Sequence, residues 1–174
     1  MIPEIVTPRL RLRGHRLEDF PASAAMWAVP SVTRFIGGRA LSEEEVWARF
    51  LRYAGHWSLF GFGFWAIEEL SGGGFVGEAG FAYFKREIQP PIPEIPEAGW
   101  VLVPRVHGRG YATEALGAAL EWGGKHLPST STACMIHPEN HASIRLAVKC
   151  GFQRSYQTSY KDEPTLIFTR ELPR

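Results

Sequence analysis

"VPRVHGRGYATEAL", Val103 to Leu116, joins an apolar strand to a helix through a turn with two glycines and three basic side chains. Upstream, "GWVLV" (Gly99 to Val103) reads as a buried strand, and downstream "YATEALGAALEWGGKHL" reads as a helix from Tyr111. The first amides of a helix lack intrahelical partners, and the helix dipole adds about half a positive charge there. Gly108 and Gly110 have no Cβ, so an anion can come close to the backbone. Arg105, His107 and Arg109 add charge around the turn. The junction therefore predicts a site for a phosphate or pyrophosphate. It is not a dinucleotide fingerprint, because Thr113 stands where the third glycine belongs, and it is not a P-loop, because no Gly-Lys-Ser/Thr follows. The plainer alternative is a strand-to-helix turn that glycines merely shape.

Outward from this junction the elements alternate. "RLRLR" (Arg9 to Arg13) has the period of a strand with one wet face. "LEDFPASAAMWA" has helical composition. "SEEEVWARFLRYAGHW" is a clearer helix, with Ser42 and Glu45 spaced for a capping box and Val46, Trp47, Phe50, Leu51 and Ala54 set on one apolar face. "GFGFWAIEEL" and "GFVGEAGFAYF" are aromatic-rich strands around the hairpin turn "SGGG". Four prolines between Pro90 and Pro96 exclude a helix and a central strand, which leaves a stiff loop. "TACMI" reads as a strand. "NHASIRLAVKCGF" reads as a short helix capped by Asn140 and ended by Gly151, and "QRSYQTSYK" and "TLIFTREL" as a last pair of strands. The order β-α-α-β-β-β-α-β-α-β-β implies a mixed sheet with helices on both faces. All of it is expected to form one domain, residues 1 to 174.

Composition narrows the function. The chain has 174 residues, 45% hydrophobic and 21% charged, the profile of a globular domain. Nineteen basic side chains nearly cancel eighteen acidic ones, and a net charge of +1 argues against nucleic-acid and membrane partners. Cys134 and Cys150 are too few for a disulfide framework and read as reduced core residues, so a cytoplasmic location is expected. The N-terminus lacks the apolar core of a signal peptide, and no run approaches the ~18 apolar residues of a membrane span. Cys134, His137 and His141 share a metal-like spacing, but Pro138 interrupts it and no fourth ligand is nearby, so no metal is expected.

Two motifs at consistent spacing resemble a known family. Arg105-x-x-Gly108-x-Gly110, with "GRGYATEA", is similar to the coenzyme A loop of the GNAT acetyltransferases. Asn140-x-x-Ser143-x-x-Leu146-x-x-Lys149-x-Gly151-Phe152 is similar to their second motif. "TPRLRLRG" followed by "LEDF" resembles the opening of the ribosomal-protein N-terminal alanine acetyltransferase branch. The resemblance implies the GNAT fold: a mixed, mostly antiparallel twisted sheet of six to seven strands, its central strands splayed. It implies that amides from His107 through Gly108, Arg109, Gly110 and Tyr111 to Ala112 hold the pyrophosphate of acetyl-CoA. The free backbone of Leu102 and Val103 would pair with the pantetheine arm, and Asn140 would bond it from the other side, with a plain helix cap as the alternative.

The implied reaction is acetyl transfer by direct attack of a primary amine, expected to be a protein or peptide N-terminus. The alternatives are a small-molecule amine (a polyamine, an amino-acid derivative or an aminoglycoside) and a coenzyme-binding module without turnover. Many family members place a tyrosine one position after Leu146 to protonate the leaving thiolate; this chain has Ala147 there, and Ser143, one turn earlier on the same face, is the expected substitute. For proton removal from the amine the candidates are Glu97, which is preferred, Glu78 and His137. The exposed C-terminal strands and the prolyl loop leave a homodimer open.

Overall fold

A computed structural model describes residues 1–173. Eight strands form one sheet in the order β1-β2-β3-β4-β5-β6-β8-β7. They are β1 (Ile5–Val6), β2 (Leu10–Arg13), β3 (Phe64–Glu69), β4 (Phe75–Ala82), β5 (Glu97–Leu102), β6 (Ser131–Ile136), β7 (Gln153–Tyr160) and β8 (Glu163–Glu171). Every neighbouring pair is antiparallel except β5 and β6. The helices are α1 (Phe20–Trp27), α2 (Pro30–Thr33), α3 (Glu43–Phe60), α4 (Tyr111–His126) and α5 (His141–Lys149). The count exceeds the expected six to seven strands because β1 is a two-residue edge strand. So short a segment carries no readable alternation.

The two faces of β5 show how the layers are built. Ala98 and Leu102 pack with Ala115, Leu116, Ala119 and Leu120 of α4, and Ala147 of α5 joins the same cluster. Val101, on the opposite face, packs with Met26, Trp27, Val32 and Val46 from α1, α2 and α3. Period-two strands thus bury both faces, as a sheet covered on both sides requires.

Helix α3 begins as the sequence predicts. Ser42 Oγ accepts from the Glu45 amide at 3.2 Å, and a Glu45 carboxylate oxygen accepts from the Ser42 amide at 2.8 Å. Its buried face differs from the expected one: Val46, Phe50, Tyr53, His56 and Trp57 are buried, whereas Trp47 is 40% and Leu51 51% exposed. The apolar residues spread over more than one face, and contact with the sheet selects among them. Arg13 adds a buried polar anchor, donating to both oxygens of Asp19 (2.7 and 2.8 Å) and to Glu68 (2.7 Å). Among the described residues, no helix is long and apolar enough to cross a membrane.

Candidate active site

Strand β5 leaves the sheet at Leu102, passes a 3-10 turn at Pro104–Val106, and enters α4 at Tyr111. Gly108 (φ 74°) and Gly110 (φ 78°) both adopt the left-handed conformation, which a side chain would strain. A Cβ on Gly108 would meet nothing within 4 Å, so the loop is open on that side.

Hydrogen bonding divides the loop amides. The His107 amide donates to the Pro104 carbonyl at 3.0 Å, and the Arg109 amide to the Val106 carbonyl at 3.4 Å. Among the described residues, the amides of Gly108, Gly110, Tyr111 and Ala112 find no acceptor in the protein. These four lie at the N-terminal end of α4, where unpaired amides are available to an anion. The expectation for His107 and Arg109 is corrected accordingly, because their amides are spent inside the turn. The basic side chains are also committed. Arg105 (3.3 Å) and Arg109 (3.1 Å) pair with Glu69 at the end of β3, and the His107 ring bonds the Leu102 carbonyl at 2.9 Å. Glu69 escaped the sequence reading; its only trace there is a carboxylate ending an apolar strand. The Tyr111 hydroxyl donates to Glu69, and this bond, with the two arginines, holds the Glu69 carboxyl below its ordinary pKa.

Beside the loop the sheet opens. Parallel strands β5 and β6 share a single register pair, Glu97 with Ala133, and then diverge. The strand parity identifies the free groups. The Ala133 amide reaches the Pro96 carbonyl (3.2 Å), whereas the Val103 amide reaches the Val76 carbonyl (2.9 Å). Even-numbered residues of β5 therefore face β6 and odd-numbered ones face β4. The opened edge exposes the backbone of Trp100 and the amide of Leu102. Val103 is corrected: its amide belongs to the β4 side. Trp100 takes its place, and strict alternation along "GWVLV" could have named it.

Helix α5 follows β6, the far strand of the opening. Asn140 Oδ1 accepts from the Ser143 amide at 3.2 Å, so the plain helix-cap alternative is realised. The Ser143 hydroxyl has no hydrogen-bond partner among the described residues, while Ala147, one turn on, is fully buried. The structure thus brings Ser143 and Asn140 to the α5 N-terminus.

The candidate bases fare differently. Both oxygens of Glu97 are held by Arg86, at 2.6 and 2.8 Å, and the Arg86 guanidinium lies 4.4 Å from the Phe84 ring and 5.1 Å from that of Tyr160. Glu78 is wholly buried: Oε1 accepts from Ser23 (2.6 Å), and Oε2 from Tyr53 (2.9 Å) and Trp27 (3.2 Å). Burial pushes the Glu78 pKa up, but His15 at 3.6 Å and the hydroxyls of Ser23 and Tyr53 outweigh it and hold the carboxyl below its ordinary value. His137 stacks on Phe35 at 5.2 Å, its Nδ1 accepts from the Glu139 amide, and Nε2 faces Glu163 at 3.7 Å. Both ring nitrogens of His137 thus already face partners within the protein. Cys134 is buried and its thiol is pushed well above its usual range, so it is neither a thiolate ligand nor a nucleophile.

Comparison with known proteins identifies the family. A family model described as an acetyltransferase (GNAT) domain matches residues 9–153. The chain is 31% identical over 112 residues to the uncharacterized protein YkkB of Bacillus subtilis, a match spanning 64% of this chain and 63% of YkkB. An acetyltransferase from Agrobacterium tumefaciens superposes with a TM-score of 0.84 at 27% identity, covering 98% of this chain and 95% of that one. An acetyl transferase from Salmonella typhimurium that modifies the N-terminal serine of ribosomal protein L7/L12 shares the fold, with a TM-score of 0.77 at 17% identity over 98% of both chains. The chain belongs to the GNAT acetyltransferase family and is an acetyl-transferring enzyme.

Proposed function

We propose that this enzyme transfers the acetyl group of acetyl-CoA to an N-terminal α-amine of a protein or peptide. The open cradle of Gly108, Gly110, Tyr111 and Ala112 fits a diphosphate, and the free edge at Trp100 and Leu102 fits an amide-bearing arm. In the reaction the neutral amine attacks the thioester carbon, the C–S bond breaks, and the proton lost by nitrogen ends on sulfur. The Leu102 or Trp100 amide donates to the carbonyl oxygen, a bond that strengthens as that oxygen gains charge. The Asn140 side-chain amide, whose oxygen caps α5, still has its N–H groups to offer the arm. Ser143 offers an unpaired hydroxyl to the departing sulfur.

The observation that carries the acceptor class is the state of the carboxylates. Glu97 is clasped by Arg86, Glu94 pairs with Lys85 at 3.3 Å, and Glu78 is sealed under α1 and α3. None of these three carboxylates is left unpaired to collect a polycation or to serve as a strong base. An α-amine, with a pKa near ~8, is partly neutral without help, whereas a lysine-type amine at ~10.4 is not. Glu97, expected as the base, is accordingly assigned to fixing Arg86 between Phe84 and Tyr160.

The test is thiol release from acetyl-CoA with a panel of N-terminal peptides, polyamines and aminoglycosides. Turnover with peptides, rising with pH through the α-amine pKa, supports the proposal. Preferential turnover of polyamines or aminoglycosides refutes the acceptor assignment, and coenzyme binding with no turnover on any amine supports a binding module.

A further inference from the structure

The N-terminal "TPRL" segment reaches across the sheet to the coenzyme loop. Thr7 Oγ1 donates to Glu114 Oε1 at 2.6 Å, and the Arg9 amide donates to the same oxygen at 2.9 Å. The Arg9 guanidinium takes the other oxygen, with Nε at 2.7 Å and Nη2 at 2.6 Å. Its remaining nitrogen, Nη1, donates to the carbonyl of Arg109 at 2.7 Å. Glu114 lies in the first turn of α4, and its carboxyl is held below its ordinary value: burial opposes this, while Thr7 and Arg9 outweigh it. One guanidinium therefore ties the first turn of α4 to the last peptide before it.

The Arg109–Gly110 peptide is trans, since the one cis bond among the described residues is Gln89-Pro90. In a trans peptide the C=O and N–H point in opposite directions within one rigid plane. A carbonyl fixed on Arg9 thus turns the Gly110 N–H the other way, and that N–H is one of the amides without a protein partner. A cation on the carbonyl also polarises the amide and strengthens its N–H as a donor. Arg9 is further confined by the Tyr111 ring, 4.6 Å from its guanidinium carbon, and by Gly110, where a Cβ would stand 3.4 Å from Nη2.

We infer that Arg9 is a positioning residue for coenzyme A: it aims and polarises the Gly110 amide toward the pyrophosphate and touches no substrate itself. The inference rests on the coenzyme reading above. Arg9→Lys keeps a cation for Glu114, but one ammonium cannot also serve the Arg109 carbonyl in the planar fork geometry. Coenzyme A is titrated calorimetrically into the wild type, Arg9→Lys and Arg9→Gln, with melting temperatures recorded alongside. The amide resonance of Gly110 is followed at saturation in isotope-labelled protein.

The expected result is a Kd raised about tenfold in both variants, the scale of one charge-assisted hydrogen bond, with Arg9→Lys melting near the wild type. The Gly110 amide proton should move downfield on coenzyme addition less in the variants than in the wild type. Unchanged Kd values in both variants overturn the role of Arg9 and leave the coenzyme site standing. A weakened Kd with an undiminished Gly110 shift also overturns it, because the loss then arises elsewhere. A wild type that takes up no coenzyme A overturns the coenzyme reading itself.

Discussion

Glu78→Gln separates two roles that a buried carboxylate on β4 can play. Glu78 is wholly inaccessible, and three donors from α1 and α3 (Ser23, Trp27 and Tyr53) end on its oxygens. As a structural anchor it binds the helical layer to the sheet. Glutamine keeps the shape and removes the charge. Its NH2 is best turned toward Ser23, whose hydroxyl can rotate to accept; its oxygen then keeps Trp27 and Tyr53. Three charge-assisted bonds become neutral, each weaker by roughly 0.5 to 1.5 kcal/mol, and the attraction to His15 at 3.6 Å is lost, both partly offset by relief from burying a charge. The net is about 2 kcal/mol. For a chain of this size that lowers Tm by roughly 4 to 8 °C. A general base, by contrast, contributes about 10² to 10⁴ to the rate. The assay is a thermal melt together with kcat at 20 °C on a peptide acceptor and saturating acetyl-CoA. The anchor role predicts the lowered Tm and a kcat within about threefold of wild type. A kcat lowered by about 100-fold or more with Tm unchanged would refute it, and the sealed geometry would then have to open during turnover.

Three further outcomes follow from the same geometry. Gly110→Val places a branched side chain at φ 78° and against Arg9; the KM for acetyl-CoA should rise at least about tenfold, measured by initial rates, with the strain alone costing ~1–2 kcal/mol in a chemical melt. Ser143→Ala should lower kcat several-fold and leave the Kd for coenzyme A within about twofold, since the role proposed for the hydroxyl is to protonate the leaving sulfur; full activity would remove it from the mechanism. Asp19 and Glu78 both titrate below their ordinary values of 3.8 and 4.5. A depressed folded-state pKa stabilises above the unfolded value and loses that stability as pH falls through the folded one. Urea midpoints should therefore stay level from neutral pH down to about 5 and decline steadily below about 4.5.

Much of the architecture was legible locally. Period-two runs marked the strands, "SGGG" marked the β3–β4 hairpin, and the Ser42/Glu45 spacing marked the start of α3. Each signal acts over a few residues, so it survives without knowledge of the partner elements. The burial of α3 was read less well, because Trp47 and Leu51 are apolar yet face outward. Which stripe is covered depends on where the sheet lies. The candidate site shows the same division. The left-handed glycines and the cap at Asn140 are local and were visible. The exchange of Val103 for Trp100 at the free strand edge depended on which neighbour each amide faces, a fact about pairing.

By itself the sequence determined the family, the glycine turn that opens α4 and the alternation of elements, because backbone conformation and helix capping are set by neighbouring residues. Only the tertiary structure decided which charges are free. Arg105 and Arg109, which read as positive charge around an anion site, are paired with Glu69, and Glu97, which read as a base, is paired with Arg86. Arg9 and Glu114, some hundred residues apart, became parts of one clamp. Charges interact through space and burial, and neither distance nor solvent access is written in the order of residues.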